Sequence, residues 1–366
     1  MSPIGITPAR HSPPNLKPPK RTAALAAAAA ATALTLSACV EPATGTLNTR
    51  AGYTIDGADI PVSICPEGDD SRLAEEEGLL LGAHFALRVE CVASFTELPE
   101  SFQLEYLFGE DPNLFPPENG YEFTMVQFAP DPGHEGLDMD DTPTELEAVL
   151  SIGEKEWVFT DEVPAPGSAY LAVAAKDAPI SLEVNDAGRT QSLDLRERTA
   201  GDLVQGLYHG SRKVVTDYAA HAVDAYLSTG GYEYWVEEWN YSTTFTANRV
   251  VYVPEEGWVT ELDRVVLSLD FVWLHAGNGL IWEIDPKKTL KVSGDDGELT
   301  PTAVDHTSEE WGDGEIRYYT MSYDVPADAL QFTLEFSPKG PISWPDEGVE
   351  MPVTNEESHT LEVDFS

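Results

Sequence analysis

Basic residues are scarce in this sequence. Lys and Arg number 21 against 64 Asp and Glu, which gives a formal net charge of −43 at pH 7. A protein that binds nucleic acid needs a basic face to replace the counterions of the phosphates, and this composition excludes such a partner. The hydrophobic fraction of 42% is still high enough to build packed cores, so a folded protein is expected.

Long apolar runs are lacking as well. The most apolar stretch, residues 22–36, has about fifteen residues, mainly Ala, Leu and Thr, which is short for a helix that spans a membrane. It follows a segment that contains Arg10, Lys17, Lys20 and Arg21 and no acidic residue. A basic segment followed by a short apolar one is typical of an export signal.

The apolar stretch ends at Leu36-Ser37-Ala38-Cys39, which resembles the lipobox of bacterial lipoprotein signal peptides. The resemblance covers this segment alone. It implies cleavage before Cys39, a diacylglycerol thioether on that cysteine and, in many bacteria, a further acyl chain such as palmitate on its amino group. Two or three chains anchor firmly, because each buried methylene contributes about 0.8 kcal/mol. The resemblance thus implies an extracytoplasmic protein whose partner is the lipid bilayer; an ordinary secretory signal ending near Ala38 is the alternative.

Cysteine is nearly absent, since only Cys65 and Cys91 remain beyond Cys39. In an oxidising compartment this pair is expected to form one disulfide, and closing a loop of about 25 residues stabilises by about 3 kcal/mol in the chain-entropy model. A two-cysteine metal site is the weaker alternative, because the sequence has no Cys-x-x-Cys and no companion cluster of histidines.

Catalytic motifs are missing too. The sequence contains no Gly-x-Ser-x-Gly elbow, no His-Glu-x-x-His, no phosphate-binding glycine loop and no Ser-x-x-Lys. Paired carboxylates occur throughout so acidic a chain and carry little information. We therefore predict a protein that is not an enzyme.

What the sequence does have is a period of two. Apolar residues alternate with polar ones in several segments that are separated by turn residues, as half-buried strands require. The clearest runs are Phe85 to Phe95, Ile180 to Val184, Val265 to Trp273, Leu330 to Phe336 and Leu361 to Phe365. Only residues 142–150 and 199–208 favour short helices. The predicted fold class is all-β.

A repeat refines this prediction. Glu162-Val163-Pro164-Ala165 precedes Pro179-Ile180-Ser181 at the same spacing that separates Asp324-Val325-Pro326-Ala327 from Pro341-Ile342-Ser343. The overall plan resembles immunoglobulin-like lipoproteins of Gram-positive bacteria, which implies two tandem immunoglobulin-like β-sandwich domains. The predicted division is a signal peptide over 1–38, a flexible tether over 39–50, a first sandwich over 51–198 and a second over 199–366. Chance similarity between two strand-turn-strand units is the alternative.

An acidic loop is the first of two candidate sites. Asp138, Asp140 and Asp141 offer oxygen ligands at a spacing that suits Ca²⁺, the one cofactor that the sequence suggests. The loop lacks the glycine and the final glutamate of an EF-hand. Capping of the predicted helix by Asp140 and Asp141, or a solvated loop, is the favoured alternative.

An aromatic segment is the second candidate. Alternation over Tyr232 to Tyr241 places Trp235, Trp239 and Tyr241 on one face and Tyr232, Tyr234 and Val236 on the other. One face must belong to a core, and the other is a candidate surface for stacking on sugar rings or on a partner protein. Cover by the neighbouring domain is the simpler interpretation of that second face.

These features favour a membrane-anchored extracytoplasmic lipoprotein that serves as a non-catalytic binding or scaffold module for an envelope protein or a cell-wall glycan. The alternative from another class is an exported hydrolase whose active site is assembled from distant carboxylates. A deep cleft with facing carboxyl groups of raised pKa would favour the hydrolase, and a flat aromatic face would favour binding.

Replacing the thiol of Cys39 tests the anchoring hypothesis. We expect Cys39→Ser to accumulate as an uncleaved precursor that takes up no radiolabelled lipid, because only a thiol forms the thioether. Metabolic labelling followed by electrophoresis measures both effects. Normal processing of the variant would show that the lipobox interpretation is wrong.

Overall fold

The computed structural model describes residues 48–57, 63–66, 70–98, 114–132, 145–254, 256–312 and 314–366. Residues 47–366 form one compact unit, in which almost all regular structure is β-strand. The helical elements of the described residues are single turns at Glu75–Gly78 and Pro286–Thr289 and a 3₁₀ turn at Gln205–Leu207. None of the described helices is long and apolar enough to cross a membrane. The prediction of an all-β fold is confirmed.

Two antiparallel five-stranded sheets make up the N-terminal half, which we define as the described residues up to Gly201. The first sheet has the strand order β1-β7-β4-β3-β2, and its strands are β1 (Thr54–Gly57), β2 (Leu79–Leu81), β3 (Ala86–Phe95), β4 (Tyr121–Phe128) and β7 (Ala169–Ala175). The second has the order β10-β9-β8-β5-β6, with β5 (Leu146–Ile152), β6 (Lys155–Thr160), β8 (Ile180–Asp186), β9 (Arg189–Asp194) and β10 (Thr199–Gly201).

The C-terminal half, from Asp202 onward, contains a large sheet, a small sheet and two hairpins. The eight-stranded sheet is formed by β11 (Lys213–Val215), β14 (Phe245–Val250), β17 (Arg264–Gly277), β18 (Leu280–Trp282), β21 (Ala303–Trp311), β22 (Gly314–Pro326), β24 (Ile342–Trp344) and β25 (Val349–Met351). The four-stranded sheet is formed by β19 (Leu290–Gly294), β20 (Gly297–Glu298), β23 (Gln331–Phe336) and β26 (His359–Asp364). The hairpins are β12 (Ala219–Thr229) with β13 (Tyr232–Thr243), and β15 (Tyr252–Val253) with β16 (Gly257–Trp258).

Alternation of side chains explains these strands. Along β17, Val265, Leu267, Leu269, Phe271 and Trp273 are buried, while the residues between them are partly or fully exposed. The same pattern occurs in β3, β8, β23 and β26. Burial of one such aliphatic or aromatic side chain contributes about 1.5–3 kcal/mol. The strands that strict alternation predicts are therefore confirmed.

The first sheet of the N-terminal half is buried on both faces. Val126 and Phe128 of β4 join the core between the two sheets, whereas Phe123 and Met125 join a second apolar cluster on the opposite face. That second cluster includes Cys65, which is bonded to Cys91 of β3 in the predicted disulfide. The bridge therefore ties the segment at 63–66 to the outer face of this sheet.

The core of the C-terminal half lies mainly between the eight-stranded and the four-stranded sheets. Its largest fully buried side chains include Trp273, Trp282, Phe336 and Phe365. One buried member, Leu81, comes from the N-terminal half. All the other buried members lie between Val204 and Phe365.

Both predicted helices are wrong where the structure describes them. Residues 146–150 of the first lie in β5 (Leu146–Ile152), where Ala148, Leu150 and Ile152 alternate into the core. This period of two outweighs the helix-start signal of the preceding acidic residues and proline. The second predicted helix comprises β10, paired with β9, and only the 3₁₀ turn at Gln205–Leu207.

The two copies of the sequence repeat follow similar paths between sheets, but their residues do not all occupy equivalent strands. From β6 through β7 to β8 the chain leaves one sheet, enters the other and returns, and it does the same from β22 through β23 to β24. Val325 lies in β22, however, whereas Val163 lies in the loop after β6. The division into two immunoglobulin-like sandwiches stays a prediction.

Truncation tests this division. We expect a chain that starts at Gly201 to fold alone, because the only contributions to the C-terminal core from outside that stretch are the buried Leu81 and the partly buried Leu79 and Ala86. The expected result is a single cooperative thermal transition at a lower Tm than that of the full chain, measured by circular dichroism. An unfolded fragment beside a stable full chain would contradict the two-domain division.

Candidate functional site

The β12–β13 hairpin carries the aromatic segment found in the sequence. Its strands pair from Ala219 opposite Thr243 to Thr229 opposite Tyr232. The turn between them is Gly230–Gly231, with φ of +59° and +85°. Positive φ at both central residues is the requirement of a type I′ turn, which glycine meets without strain.

A β-bulge interrupts this hairpin at Glu237 and Glu238. Val223 lies opposite Trp239 and Ala225 opposite Val236, so Asp224 alone faces the two glutamates. Glu238 has φ of +54°, and its backbone N–H donates to Oδ1 of Asp224 at 2.9 Å. One extra residue in a strand reverses the faces of all residues beyond it.

The bulge makes the predicted face assignment wrong. Trp239 and Tyr241 point toward the core, together with Tyr234 and Val236, whereas Trp235 lies on the opposite face. Simple alternation counts every residue and therefore cannot place side chains on both sides of a bulge. The structure thus brings Trp239 and Tyr241 together and separates Trp235 from them.

The inner face of the hairpin is anchored by Trp239 and Tyr241. The Tyr241 ring lies 5.5 Å from that of Trp273 and 5.8 Å from that of Trp282, and the Trp239 ring lies 6.4 Å from that of Trp282, between centroids. Burial, with the charge of Glu357, raises the pKa of Tyr241 to about 12. These two aromatics hold the hairpin in place; Tyr241 is buried and Trp239 is partly buried, so neither offers a fully exposed ring for stacking.

The outer face carries an exposed aromatic pair, Tyr226 and Trp235. The two residues are directly opposite each other, and 43% of Tyr226 and 58% of Trp235 are exposed. The Tyr226 hydroxyl donates to Oε1 of Glu233 at 3.1 Å, and Glu233 lies two residues before Trp235 on the same face. We call Tyr226, Glu233 and Trp235 the outer aromatic face. It combines ring surfaces with a hydrogen-bonding carboxylate.

Hydrogen bonds between β12 and the segment at 352–355 fix the strand that carries Tyr226. The Asp224 N–H donates to Oδ1 of Asn355 at 2.6 Å, and the Thr354 N–H donates to the Asp224 carbonyl at 2.8 Å. The N–H of Tyr226 itself donates to the carbonyl of Pro352 at 3.3 Å. Strand β12, which carries Tyr226, is therefore hydrogen-bonded along both edges, to β13 on one side and to residues 352–355 on the other.

A buried histidine and aspartate form a second polar site, which the sequence did not reveal. Nδ1 of His84 lies 2.6 Å from Oδ1 of Asp186, and both side chains are almost fully buried. Oδ2 of Asp186 accepts the backbone N–H groups of Ala83 and His84 at 2.8 and 3.1 Å. The Asp186 carbonyl accepts the indole N–H of Trp258, across from the C-terminal half.

More hydrogen bonds surround this buried pair at the junction of the two halves. The Leu81 N–H donates to the Tyr208 hydroxyl at 3.0 Å, and the Leu81 carbonyl accepts from Nε2 of Gln191 at 2.7 Å. A Cβ at Gly82 would lie 2.5 Å from Oδ2 of Asp186, so glycine is required there. The strand β2 and the loop after it therefore connect the halves by packing and by polar contacts.

The sequence contains no local signal for this pair, because His84 and Asp186 are 102 residues apart. In the sequence, Asp186 stands in Asn185-Asp186-Ala187-Gly188, whose residue types are typical of a turn. That turn is present, with positive φ at Ala187 and Gly188. The side chain of Asp186 is nevertheless fully buried, and its carboxylate accepts hydrogen bonds at the junction of the two halves.

The acidic loop proposed for Ca²⁺, with Asp138, Asp140 and Asp141, lies outside the described residues. Within the described ranges, no group of three or more His, Cys, Asp and Glu side chains is arranged to hold a metal ion. The Ca²⁺ prediction therefore stays untested.

Comparison of the chain with models of protein families and with curated proteins found no match. What the protein binds must therefore be inferred from its own surface.

Removal of the Asp186 carboxylate tests the junction. We expect Asp186→Ala to lower the free energy of unfolding by about 2–4 kcal/mol, because buried donors of Ala83 and His84 lose their acceptor. Urea unfolding measures the change. The control is Asp296→Ala at an exposed turn, expected to change stability by less than about 0.5 kcal/mol. Equal stability of the two variants would show that the junction does not depend on this carboxylate.

Proposed function

We propose that this protein is an extracytoplasmic lipoprotein, anchored through Cys39, that serves as a non-catalytic binding module for a cell-wall glycan or an envelope protein. The observation that carries the proposal is the exposed pair Tyr226 and Trp235 on a hairpin whose other face is firmly packed. Large aromatic rings in water cost solvation free energy, and exposed apolar groups beside polar ones are typical of interaction surfaces.

The chemistry of the outer aromatic face suits a ligand with both flat apolar surfaces and hydroxyl groups. The rings of Tyr226 and Trp235 offer stacking surfaces, and the carboxylate of Glu233 accepts hydrogen bonds. A sugar ring presents C–H groups on one side and hydroxyls on its rim, so it can use both. Tyr and Trp on a partner protein can use the same surfaces.

Preorganisation supports binding by this face. The Tyr226 hydroxyl is already oriented by Glu233, and the backbone of Tyr226 is bonded to Pro352. A surface that is ordered before binding loses less conformational entropy when the ligand arrives. The inner anchors Trp239 and Tyr241 contribute to binding indirectly, by keeping the hairpin in position.

The anchor and the tether place this module at a membrane surface in our proposal. The tether predicted over residues 39–50 ends earlier than expected, because Thr49 is buried and its N–H donates to the carbonyl of Pro116 at 3.2 Å. A flexible linker of the remaining ten residues, 39–48, would span roughly 17 Å on average. This distance is enough to hold the folded part above the lipid headgroups. A wall polymer or a neighbouring envelope protein is then within reach.

The alternative, a hydrolase with a pair of carboxylates, gains no support from the described residues. A general acid of that kind needs a carboxyl group whose pKa is raised by burial or by a second carboxylate. Hydrogen bonds from Lys288, Arg317 and Ser366 instead lower the pKa of Asp285, Glu315 and Asp364, respectively.

Alanine substitution on the outer aromatic face tests the proposal. We expect Trp235→Ala to raise the Kd for soluble wall-glycan fragments, or for the envelope protein captured by the Cys39→Ser chain, by about tenfold or more, equal to about 1.4 kcal/mol. Trp235→Phe should retain part of the affinity, because a ring remains. Isothermal titration calorimetry measures both.

A matched control is available in Trp311, which is similarly exposed but lies in the eight-stranded sheet. Trp311→Ala should leave the Kd for the wall-glycan fragments unchanged. Equal losses in the Trp235 and Trp311 variants would indicate nonspecific adhesion, and unchanged affinity in Trp235→Ala would exclude the outer aromatic face as the binding site.

A further inference from the structure

Strand β21 forms an open edge of the eight-stranded sheet. It pairs antiparallel with β22 over its whole length, from Ala303 opposite Ser322 to Trp311 opposite Gly314. No second partner strand flanks it in the part of the chain that the structure describes. Its nine residues are exposed almost throughout.

The register identifies the backbone groups that face the open side. The carbonyl of Ser322 points toward β21, because it accepts the N–H of Thr302 at 2.7 Å. Backbone groups alternate in direction along a strand, so the even-numbered residues of β22 face β21. Their partners are the odd-numbered residues of β21. The N–H and C=O groups of Val304, His306, Ser308 and Glu310 therefore point outward.

Most devices that protect an edge strand are absent from β21. The strand has no proline, it is long, and its register with β22 runs without a bulge from Ala303 to Trp311. Its protection against wrong partners is the charge of Asp305, Glu309 and Glu310. None of these three carboxylates forms a salt bridge among the described residues.

An apolar area adjoins this edge on the outer face of the sheet. Thr307 of β21 lies opposite Tyr318 of β22, which in turn lies opposite Val272 of β17. Tyr318, Val272 and the neighbouring Leu274 are exposed, and Trp311 at the end of β21 is 62% exposed. A strand added to the edge would bring its own side chains beside Trp311 and Tyr318.

We propose that β21 is a docking site for an extended, basic peptide segment of a partner protein, which adds to the sheet as a further antiparallel or parallel strand. The outward N–H and C=O groups supply backbone hydrogen bonds, and the alternate side chains supply selectivity. This surface is separate from the outer aromatic face, and the inference does not depend on the function proposed for it.

Charge selects the partner. If a second copy of the chain paired antiparallel with β21 around Thr307, Asp305 would lie opposite Glu309 of that copy. Like charges directly opposite each other destabilise strand pairing. Lysine or arginine at the same positions would instead pair with these carboxylates. The acidic edge therefore rejects a second copy and favours a basic strand.

The test uses the full chain carrying Cys39→Ser and a nine-residue probe peptide of alternating lysine and valine, with a control peptide in which glutamate replaces lysine. We expect the lysine peptide to bind and to slow hydrogen exchange at the amides of Val304, His306, Ser308 and Glu310. The amides already bonded to β22 should change little. This alternation distinguishes strand addition from attraction between side chains.

Two variants locate the site. Ser308→Pro removes one outward N–H and should weaken peptide binding at least tenfold, whereas Ser308→Ala loses the same hydroxyl bond to Glu315 but keeps the N–H and should bind normally. Because the proline variant can also disturb the hairpin, Glu309→Lys combined with Glu310→Lys serves as a second test and should shift the preference to the glutamate peptide.

Three results would overturn the proposal. They are equal binding of both peptides, binding without alternating protection of the β21 amides, and dimerisation of the chain through β21 in sedimentation experiments. Loss of binding in Ser308→Ala as great as in Ser308→Pro would likewise assign the effect to the side chain and not to the edge.

Discussion

Most strands of this protein carry apolar side chains at every second position, and β4 and β7 carry them on both faces, so each large sheet has at least one face that must be covered. Two solutions are present. In the C-terminal half the eight-stranded and four-stranded sheets cover each other around Trp273, Trp282 and Phe336. In the N-terminal half two five-stranded sheets do so, and a disulfide-linked segment covers the first sheet on its other side. The outer aromatic face and the edge strand β21 are surfaces that this covering leaves exposed.

The covering extends across the junction between the halves. Leu81 is buried in the C-terminal core, although its strand belongs to the first N-terminal sheet. The hydrogen bonds of Asp186 then fix the loop that follows this strand. A short strand thus has two roles, since it completes one sheet and supplies a side chain to the neighbouring core.

Strict alternation made much of the fold predictable from the sequence. The runs around Leu267, Leu182 and Phe332 became strands because burial of one face favours a period of two whatever the context. The errors have identifiable causes. Residues 146–152 follow an acidic, proline-containing sequence that imitates a helix start, and the bulge at Glu238 reverses the faces of β13. The pairing of His84 with Asp186 depends on tertiary contact alone and has no local pattern to reveal it.

The disulfide between Cys65 and Cys91 makes the completion of one part of the fold depend on redox chemistry. Cys91 lies within β3, whereas Cys65 lies in a segment outside every strand, so the bridge connects the sheet to a piece of chain that takes no part in strand pairing. While both thiols are reduced, Phe123, Met125 and Leu171 have a cover held by packing and by hydrogen bonds such as that from the Ile64 N–H to Oε1 of Gln127, at 2.9 Å. Oxidation adds a covalent bond to this cover. The chain therefore reaches its final state only where an oxidant is present. The bond, once formed, is evidence that the chain has been exposed to such an environment.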